Sequence, residues 1–249
     1  MYSLKANWLN EMEKLWARRK TKVFLLLSIL IPAASAAVLA NVQNASALVA
    51  GFGADLPMLM LSLFTALLLP LFLFMMAVES FAGEIAERTI KLVLVRPVSR
   101  AKVFASKVLA LAAYAIIHLG AVGLASVLAG LFVNRSLQWS SLLESIVAYG
   151  VAFVPMITVA LIAVLIAQSM NNSIGALALI LFLYIFAKLL PFIFPSVAVW
   201  SAYSYTNWHT LWIGSGVSPT KLFTAFGILL SYCIMAYAGS MMMFERKRF

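Results

Sequence analysis

The sequence contains few of the residues on which soluble proteins and most enzymes depend. Only 10% of its 249 residues are charged, and it has one cysteine and two histidines. Soluble domains carry about 25% charged residues, so the composition excludes an ordinary globular fold. The single cysteine cannot form a disulfide within the chain. The sequence also has neither the His-Glu-x-x-His spacing of a zinc site nor a G-x-x-x-x-G-K-[ST] phosphate loop.

Long apolar runs take the place of the missing charge. Six segments are long enough to cross a bilayer, which takes about 20 residues of helix. They are residues 23–41, 58–78, 108–133, 145–167, 174–194 and 222–244. The polar run QSMNNS, residues 168–173, separates the fourth segment from the fifth. Backbone groups in hydrocarbon must bond internally, and no alternating barrel pattern occurs. The sequence therefore predicts a single all-α integral membrane domain over residues 1–249.

The distribution of charge predicts how the chain is oriented. Residues 1–22 and 83–107 carry eight charged side chains each, and the last five residues carry four. If both termini are cytoplasmic, 15 of the 18 lysines and arginines lie on the cytoplasmic side. The positive-inside rule therefore places both termini and residues 79–107 in the cytoplasm. The net charge of +10 is then a topology signal that also favours the inner leaflet, and no nucleic-acid partner is expected.

The N-terminal segment has the pattern of an amphipathic helix over residues 4–22. Its apolar residues recur near helical spacing and include Leu4, Trp8, Met12, Leu15 and Trp16. Tryptophan favours the headgroup level of a bilayer, so we expect a helix that lies in the membrane interface. The alternative is a solvated basic tail. A cleaved signal peptide is disfavoured, because the charged region before the first span is long and more spans follow.

A second unusual segment precedes the last span. Residues 195–221 are rich in aromatic residues, among them Trp200, Tyr203, Tyr205, Trp208 and Trp212. The segment is too apolar for a free loop and too interrupted to span, which predicts a re-entrant or interfacial segment. The alternative is an aromatic belt with no further role.

Ionisable residues within the spans are candidates for function by default. His118 lies in the third span, where it is either a neutral partner for another helix or part of a proton relay. Lys188 lies near the outer end of the fifth span, where it either extends to the headgroups or contributes to a substrate path. His209 lies in the aromatic segment near GSGVS, residues 214–218, but this run does not fit a serine-hydrolase motif, and we expect no chemistry there.

The stretch GEIAERTIKLVLVRPVSRAKVFASK, residues 83–107, interrupts this apolar chain. Glu79, Glu84 and Glu87 extend the second helix beyond the membrane, and a short apolar run follows. Pro97 then breaks the helix, and Ser99 is placed to cap the next one. The pattern predicts a short amphipathic helix with an apolar face and a charged rim, which is typical of a docking surface.

This stretch resembles the membrane subunits of ATP-binding-cassette exporters of the type-2 family. Many members carry Gly-Thr where Arg88-Thr89 stands here. The resemblance implies six helices, an N-terminal interfacial helix, a coupling helix between helices two and three, and re-entrant helices before helix six. It implies a coupling interface with a separate ATPase at Glu84, Ile85, Glu87, Arg88, Thr89, Lys91, Leu92, Val93, Arg96 and Arg100. We also expect a substrate path or gate that involves Glu79, His118, Lys188, Trp208 and Trp212.

The resemblance further implies a complex of two permease subunits and two ATPase subunits in a bacterial plasma membrane. ATP and Mg²⁺ are expected on the ATPase, and no cofactor or metal on this chain. The expected cargo is an amphipathic compound or a peptide antibiotic, with sodium, lipids and carbohydrate polymers as alternatives. A secondary transporter or channel and an intramembrane enzyme are the alternative functions, although the spans contain few of the ionisable sites that a secondary transporter requires.

Overall fold

The computed structural model describes residues 4–43, 56–87, 98–133, 139–212 and 219–247, and this part of the chain is almost entirely helical, with no strand. The helices are α1 (Leu4–Ala17), α2 (Arg19–Gln43), α3 (Leu56–Ala86), α4 (Arg100–Val133), α5 (Trp139–Ser169), α6 (Ser173–Ile193), α7 (Pro195–Ala198) and α8 (Pro219–Arg246). A 3₁₀ segment, Ala202–Trp212, precedes α8. Six of these helices, α2 to α6 and α8, are long and apolar enough to cross a membrane, which confirms the predicted all-α class with six spans.

Several spans continue beyond the predicted apolar cores. The helix α4 begins at Arg100, eight residues before the predicted span 108–133, so its first two turns carry charged residues. Ser99 directly precedes α4, and its backbone carbonyl accepts hydrogen bonds from the amides of Lys102 and Val103. The polar run between α5 and α6 is a short break, where the Asn172 side chain accepts a hydrogen bond from the Ile174 amide and caps α6.

The N-terminal helix is shorter than predicted and packs against the bundle. Instead of continuing to residue 22, α1 ends at Ala17, and a bend at Arg18 leads into α2. Leu15 is buried and Trp8 packs against the core, whereas Trp16 is exposed. The helix therefore uses one face to contact the other helices, mainly α4. Its position in a membrane interface stays a prediction.

The helix α3 forms the centre of the bundle. It is the most buried of the six spans, and it contacts α4, α5 and α6, while α2 packs on α4 and α8 packs on α5. Its buried aromatic residues include Phe64, Phe72, Phe74 and Phe81. Because the number of spans is even, both termini lie at the same end of the bundle, which we name the terminal face. The other end is named the opposite face.

A π-helical turn, Phe64–Leu68, interrupts α3 for a reason that the sequence supplies. Pro70 follows this turn, and proline has no amide hydrogen with which to bond the carbonyl of Ala66, four residues earlier. The Leu69 amide bonds instead to the carbonyl of Phe64, five residues earlier. The Tyr184 hydroxyl of α6 donates to the Ala66 carbonyl, so a side chain supplies the hydrogen bond that Pro70 cannot make.

Candidate functional site

Four charged side chains from three helices form a closed cluster at the terminal face, which we name the ion-pair quartet. The Lys107 ammonium of α4 lies 2.9 Å from Glu11 Oε2 and 2.8 Å from Glu84 Oε1. The Lys14 ammonium of α1 lies 2.8 Å from Glu11 Oε1 and 3.5 Å from Glu84 Oε1. Two ammonium groups thus face two carboxylates, and the quartet has no net charge. It joins α1 to the end of α3 and the beginning of α4.

The ion-pair quartet is largely shielded from water. The Lys107 side chain is 0% exposed and the two glutamates are 8% exposed, whereas Lys14 is 34% exposed. Removing one member of a buried ion pair typically costs about 3–5 kcal/mol, because the remaining charge is left uncompensated. The quartet is therefore expected to hold α1, α3 and α4 in one arrangement more strongly than a set of surface ion pairs would.

The electrostatic environment keeps two members of the quartet ionised. Burial alone would raise the pKa of Glu11, but the ammonium groups of Lys107 and Lys14 outweigh it, and the pKa lies below the ordinary value of 4.5. Burial alone would lower the pKa of Lys14, but the carboxylates of Glu11 and Glu84 hold this pKa above the ordinary value of 10.5. Both groups are consequently charged at neutral pH.

A second cluster lies one turn further into the bundle. Arg18 Nη1 is 2.5 Å from Glu79 Oε2, and the Lys20 ammonium contacts the other oxygen of the same carboxylate. These side chains are partly exposed, and exposed pairs contribute only about 0–1 kcal/mol each. The cluster places Glu79, which the sequence assigned to a substrate path or gate, against the junction of α1 and α2.

A second π-helical turn brings both carboxylates of α3 toward the N-terminal helices. This turn is Glu79–Gly83, and Glu84 follows it directly. A π-helix bonds residue i to residue i+5, so side chains five apart lie close to one face. In a regular α-helix, where the repeat is 3.6 residues, the same two side chains would diverge around the axis. The π turn therefore explains how Glu79 and Glu84 both reach cations of α1 and α2.

The start of α4 is also tied to the C-terminus. Arg100 Nη1 donates hydrogen bonds to the backbone carbonyls of Glu245, at 2.7 Å, and Lys247, at 3.0 Å. The last carbonyls of a helix have no partner within it, so Arg100 caps the end of α8. The Lys247 ammonium in turn donates to the Gln168 carbonyl of α5, at 2.8 Å. The side chain of Lys247 thus links the C-terminus of the chain to the end of α5.

Most residues of the predicted coupling interface lie outside the described part of the chain: Arg88, Thr89, Lys91, Leu92, Val93 and Arg96. Of the others, Glu87 and Arg100 are exposed and Ile85 is half-buried against the core. Glu84 is buried in the ion-pair quartet, so its side chain faces its own chain rather than outward. The assignment of all ten residues to an ATPase interface stays a prediction.

Near the opposite face, the 3₁₀ segment packs inside the bundle. The hydroxyl of Tyr232, halfway along α8, donates to the Trp200 carbonyl at 2.8 Å. Trp208 is 3% exposed and packs edge to face against Trp212, which is 45% exposed, with 5.5 Å between ring centroids. Both tryptophans line an apolar cavity of about 600 Å³ together with Phe226 and other residues of α5 and α8. The two tryptophans singled out in the sequence therefore share one site.

A group of polar side chains, which we name the polar layer, connects this segment to α3 and α6. Its members are Ser62, Thr65, Tyr184, Lys188, Thr206, Asn207 and His209. The Thr65 hydroxyl donates to Asn207 Oδ1 at 3.1 Å, and the Ser62 oxygen lies 3.2 Å from His209 Nε2. His209, for which the sequence predicted no chemistry, is fully buried here. Sequence reasoning missed the polar layer because its members lie on three widely separated segments.

His118 joins two spans without an acidic partner. Its Nδ1 lies 2.9 Å from the Ser28 oxygen of α2, and the Ser28 hydroxyl also lies 2.9 Å from the Phe24 carbonyl. Both contacts are satisfied when the hydroxyl donates to the carbonyl and Nδ1 donates to the Ser28 oxygen. Tyr114 and Phe72 flank the ring. No carboxylate of the described residues lies within ion-pairing distance, so this geometry favours a neutral histidine over a proton relay.

Comparison with known families matches a large part of the chain. A family model described as ABC-2 family transporter protein matches residues 9–188, which extend from α1 into α6. No curated protein sequence matches the chain significantly. The match includes the stretch 83–107 that carried the resemblance, and it covers well over half of the 249 residues. With six membrane-spanning helices and this family match, the chain belongs to the ABC-2 transporter family as a multi-pass permease component.

Proposed function

We propose that the chain is the permease subunit of an ATP-binding-cassette exporter in the bacterial plasma membrane. A separate ATPase subunit binds ATP and Mg²⁺ and drives transport, because this sequence contains no phosphate loop. Membership of the ABC-2 family supports the role of a permease. The export direction and a complex of two permeases with two ATPases rest on the resemblance. The predominantly apolar spans suit an amphipathic cargo, such as a peptide antibiotic.

The ion-pair quartet is the observation that carries the coupling part of the proposal. Glu84 lies four residues before residue 88, and Lys107 lies ten residues after residue 97, so their ion pair joins the chain on both sides of residues 88–97, the loop of this proposal. A loop that merely connected two spans would not require a buried lysine with two carboxylates at its base. A force that the ATPase exerts on residues 88–97 would reach α3 and α4 through this pair. Through Glu11 it would also reach α1.

The loop and the residues on either side of it make the contacts with the ATPase in this proposal. Leu92 and Val93, with Ile85 at the edge of the core, form an apolar anchor for a cleft on the ATPase. Glu87, Arg88, Thr89, Lys91, Arg96 and Arg100 form a charged and polar rim. Rim charges affect the rate and orientation of assembly more than its affinity. Glu84 contributes indirectly, by holding the loop in position from within the quartet.

The 3₁₀ segment forms a gate near the opposite face. The contacts of Trp200 with α8 and of His209 with α3 support a re-entrant segment that dips into the outer leaflet. Trp212 is the more exposed of the two tryptophans at the apolar cavity, and cargo leaves past its ring. In this proposal Lys188 borders the path, while Glu79 and His118 position α3 and α4 through their contacts with α2.

Replacement of an anchor residue tests this function. Leu92→Asp places a charge where the proposal requires an apolar side chain, so the ATPase subunit no longer co-purifies with the permease. Transport in reconstituted vesicles is lost as well. Ser136→Asp, between α4 and α5 in the sequence, is the matched control and leaves assembly intact. Normal assembly and transport by the Leu92→Asp variant would remove the docking role of the loop.

A further inference from the structure

Lys188 brings an ammonium group into the polar layer, next to exposed apolar residues of α6. It lies five residues before α6 ends at Ile193, which is about 7–8 Å along the helix axis. Ile185, Leu189 and Phe192 on the same helix are exposed apolar residues. The half-buried lysine therefore lies at the seam between a lipid-facing helix surface and the 3₁₀ segment.

The contacts of this ammonium group are all with neutral partners. Lys188 Nζ donates to Thr206 Oγ1 at 2.5 Å, and it lies 5.8 Å from the centroid of the Tyr184 ring. Among the residues that the structure describes, no carboxylate comes within 4 Å of it, whereas Lys107 is paired with two carboxylates. A cation in a medium of low dielectric constant without a counter-charge is costly, and an anionic ligand would supply that charge.

An apolar crevice of about 500 Å³ opens between α5, α6, the 3₁₀ segment and α8. Its lining includes Ile162, Leu165, Ala187, Tyr203, Tyr232 and Met235. Ala187 is the chain neighbour of Lys188, and the Tyr203 carbonyl accepts a hydrogen bond from the same Thr206 hydroxyl that contacts the ammonium group. Met235 is exposed, so the crevice is open at the surface of the bundle. Its volume lies within the range of ligand pockets.

We infer that this place binds an anionic phospholipid from the surrounding bilayer. The phosphate accepts hydrogen bonds from Lys188 Nζ and from the Thr206 hydroxyl, which rotates away from the Tyr203 carbonyl, and an acyl chain enters the crevice. Charge complementarity selects an anionic headgroup, because the described residues offer a cation and no carboxylate within 4 Å of it that could pair with a choline group. A lysine that served only to reach the headgroups would extend toward the end of α6, whereas Lys188 turns to Thr206.

Lipid retention by the full chain tests this inference without any transport assay, so its failure is distinguishable from failure of the proposed function. The purified chain is placed in phosphatidylcholine nanodiscs that contain a minor fraction of phosphatidylglycerol. Native mass spectrometry then measures the phosphatidylglycerol retained per chain. We expect selective retention by the parent chain. Lys188→Met lowers the retention about tenfold, the loss expected for one charge-assisted hydrogen bond.

Matched variants separate this site from general attraction to a basic protein. Lys188→Arg keeps the charge and retains the lipid, and Lys221→Met, which removes an exposed lysine near the start of α8, also retains it. Thr206→Val lowers retention severalfold and keeps the inference testable if Lys188→Met folds poorly. Equal retention of both lipids by the parent chain would overturn the inference. Unchanged retention in the Lys188→Met and Thr206→Val variants would do so as well, as would an equal loss in the Lys221→Met variant.

Discussion

The Lys107 ammonium at the beginning of α4 lies 2.8 Å from the Glu84 carboxylate at the end of α3. The 22 residues between them contain the loop that we propose contacts the ATPase. This pair joins the end of α3 to the beginning of α4, on either side of the loop, and the contact of Lys107 with Glu11 adds the N-terminal helix to the same unit. Movement of the loop is therefore expected to shift α1, α3 and α4 together.

Removal of the central cation should weaken the fold strongly. In Lys107→Met, two buried carboxylates are left with Lys14 as their only partner in the quartet, and we expect the free energy of unfolding to fall by about 3–5 kcal/mol. Equilibrium unfolding in mixed micelles measures this loss. Lys102→Met removes an exposed lysine from the same helix and serves as the control, with an expected change within about 0.5 kcal/mol.

A double variant shows whether charge balance is the cause. Lys107→Met combined with Glu84→Gln removes one cation and one anion, so Glu11 and Lys14 remain as a pair. We expect this double variant to be more stable than Lys107→Met alone. Stability losses that add without any coupling between the two sites would show that the quartet does not act as a unit.

The pKa shifts in α1 predict the pH range over which the quartet stabilises the protein. The pKa of Glu11 is lowered on folding, so its contribution is present above pH 4.5 and is lost as pH falls through the folded value. The pKa of Lys14 is raised, so its contribution is present below pH 10.5 and is lost as pH rises through the folded value. Thermal unfolding should therefore be insensitive to these groups between pH 5 and pH 10.

A Glu11→Gln variant identifies the source of the acid sensitivity. Because glutamine does not titrate, the melting temperature of the variant should fall less between pH 5 and pH 3 than that of the parent chain. An equal fall in both proteins would assign the acid sensitivity to other carboxylates.

The six spans were predictable from the sequence because each depends on a local property. A run of about 20 apolar residues without charge is enough to indicate a membrane helix. The break at residues 168–173 was predictable for the same reason, since a polar run cannot lie in the lipid core and Asn172 is a typical capping residue. The ends of the helices were harder to predict from the sequence, because charged turns such as the start of α4 carry no apolar signal.

The ion-pair quartet could not be read from the sequence, because it depends on tertiary contacts across 96 residues. The charges of residues 83–107 were apparent, but Glu84 was interpreted as part of the charged rim and Lys107 was given no role. One weak signal was present: Lys107 begins a long apolar run, where an unpaired lysine would be costly. The polar layer was even harder to predict from the sequence, since its serine and threonine residues occur commonly in membrane helices.

The π turn in α3 makes a prediction about Tyr184. Tyr184→Phe removes the donor to the Ala66 carbonyl, and an unsatisfied buried carbonyl costs about 1–3 kcal/mol. Pro70→Ala in the same background restores an amide four residues after Ala66, so it should recover part of the loss. Unfolding in mixed micelles measures both variants. No recovery in the double variant would contradict the explanation of the π turn by Pro70.

The proposed gate predicts different outcomes for its two tryptophans. Trp208 is almost fully buried, so Trp208→Ala should destabilise the chain by about 3–5 kcal/mol. Trp212 is far more exposed, so Trp212→Ala should leave stability nearly unchanged and yet impair transport in reconstituted vesicles. Trp200→Ala, at another exposed tryptophan outside this cavity, is the control. Normal transport by Trp212→Ala would remove the gating role.

The measurement that tests the coupling proposal most directly is a site-specific crosslink between the loop and the ATPase. In a Cys233→Ala background, Thr89→Cys places one thiol in the loop, and Ser136→Cys places one between α4 and α5 in the sequence as the control. With a thiol-reactive photo-crosslinker, Thr89→Cys should yield a product that contains the ATPase subunit, whereas Ser136→Cys should not. If Thr89→Cys reacts only with lipid or solvent in an assembled, transport-active complex, the loop is not the coupling interface.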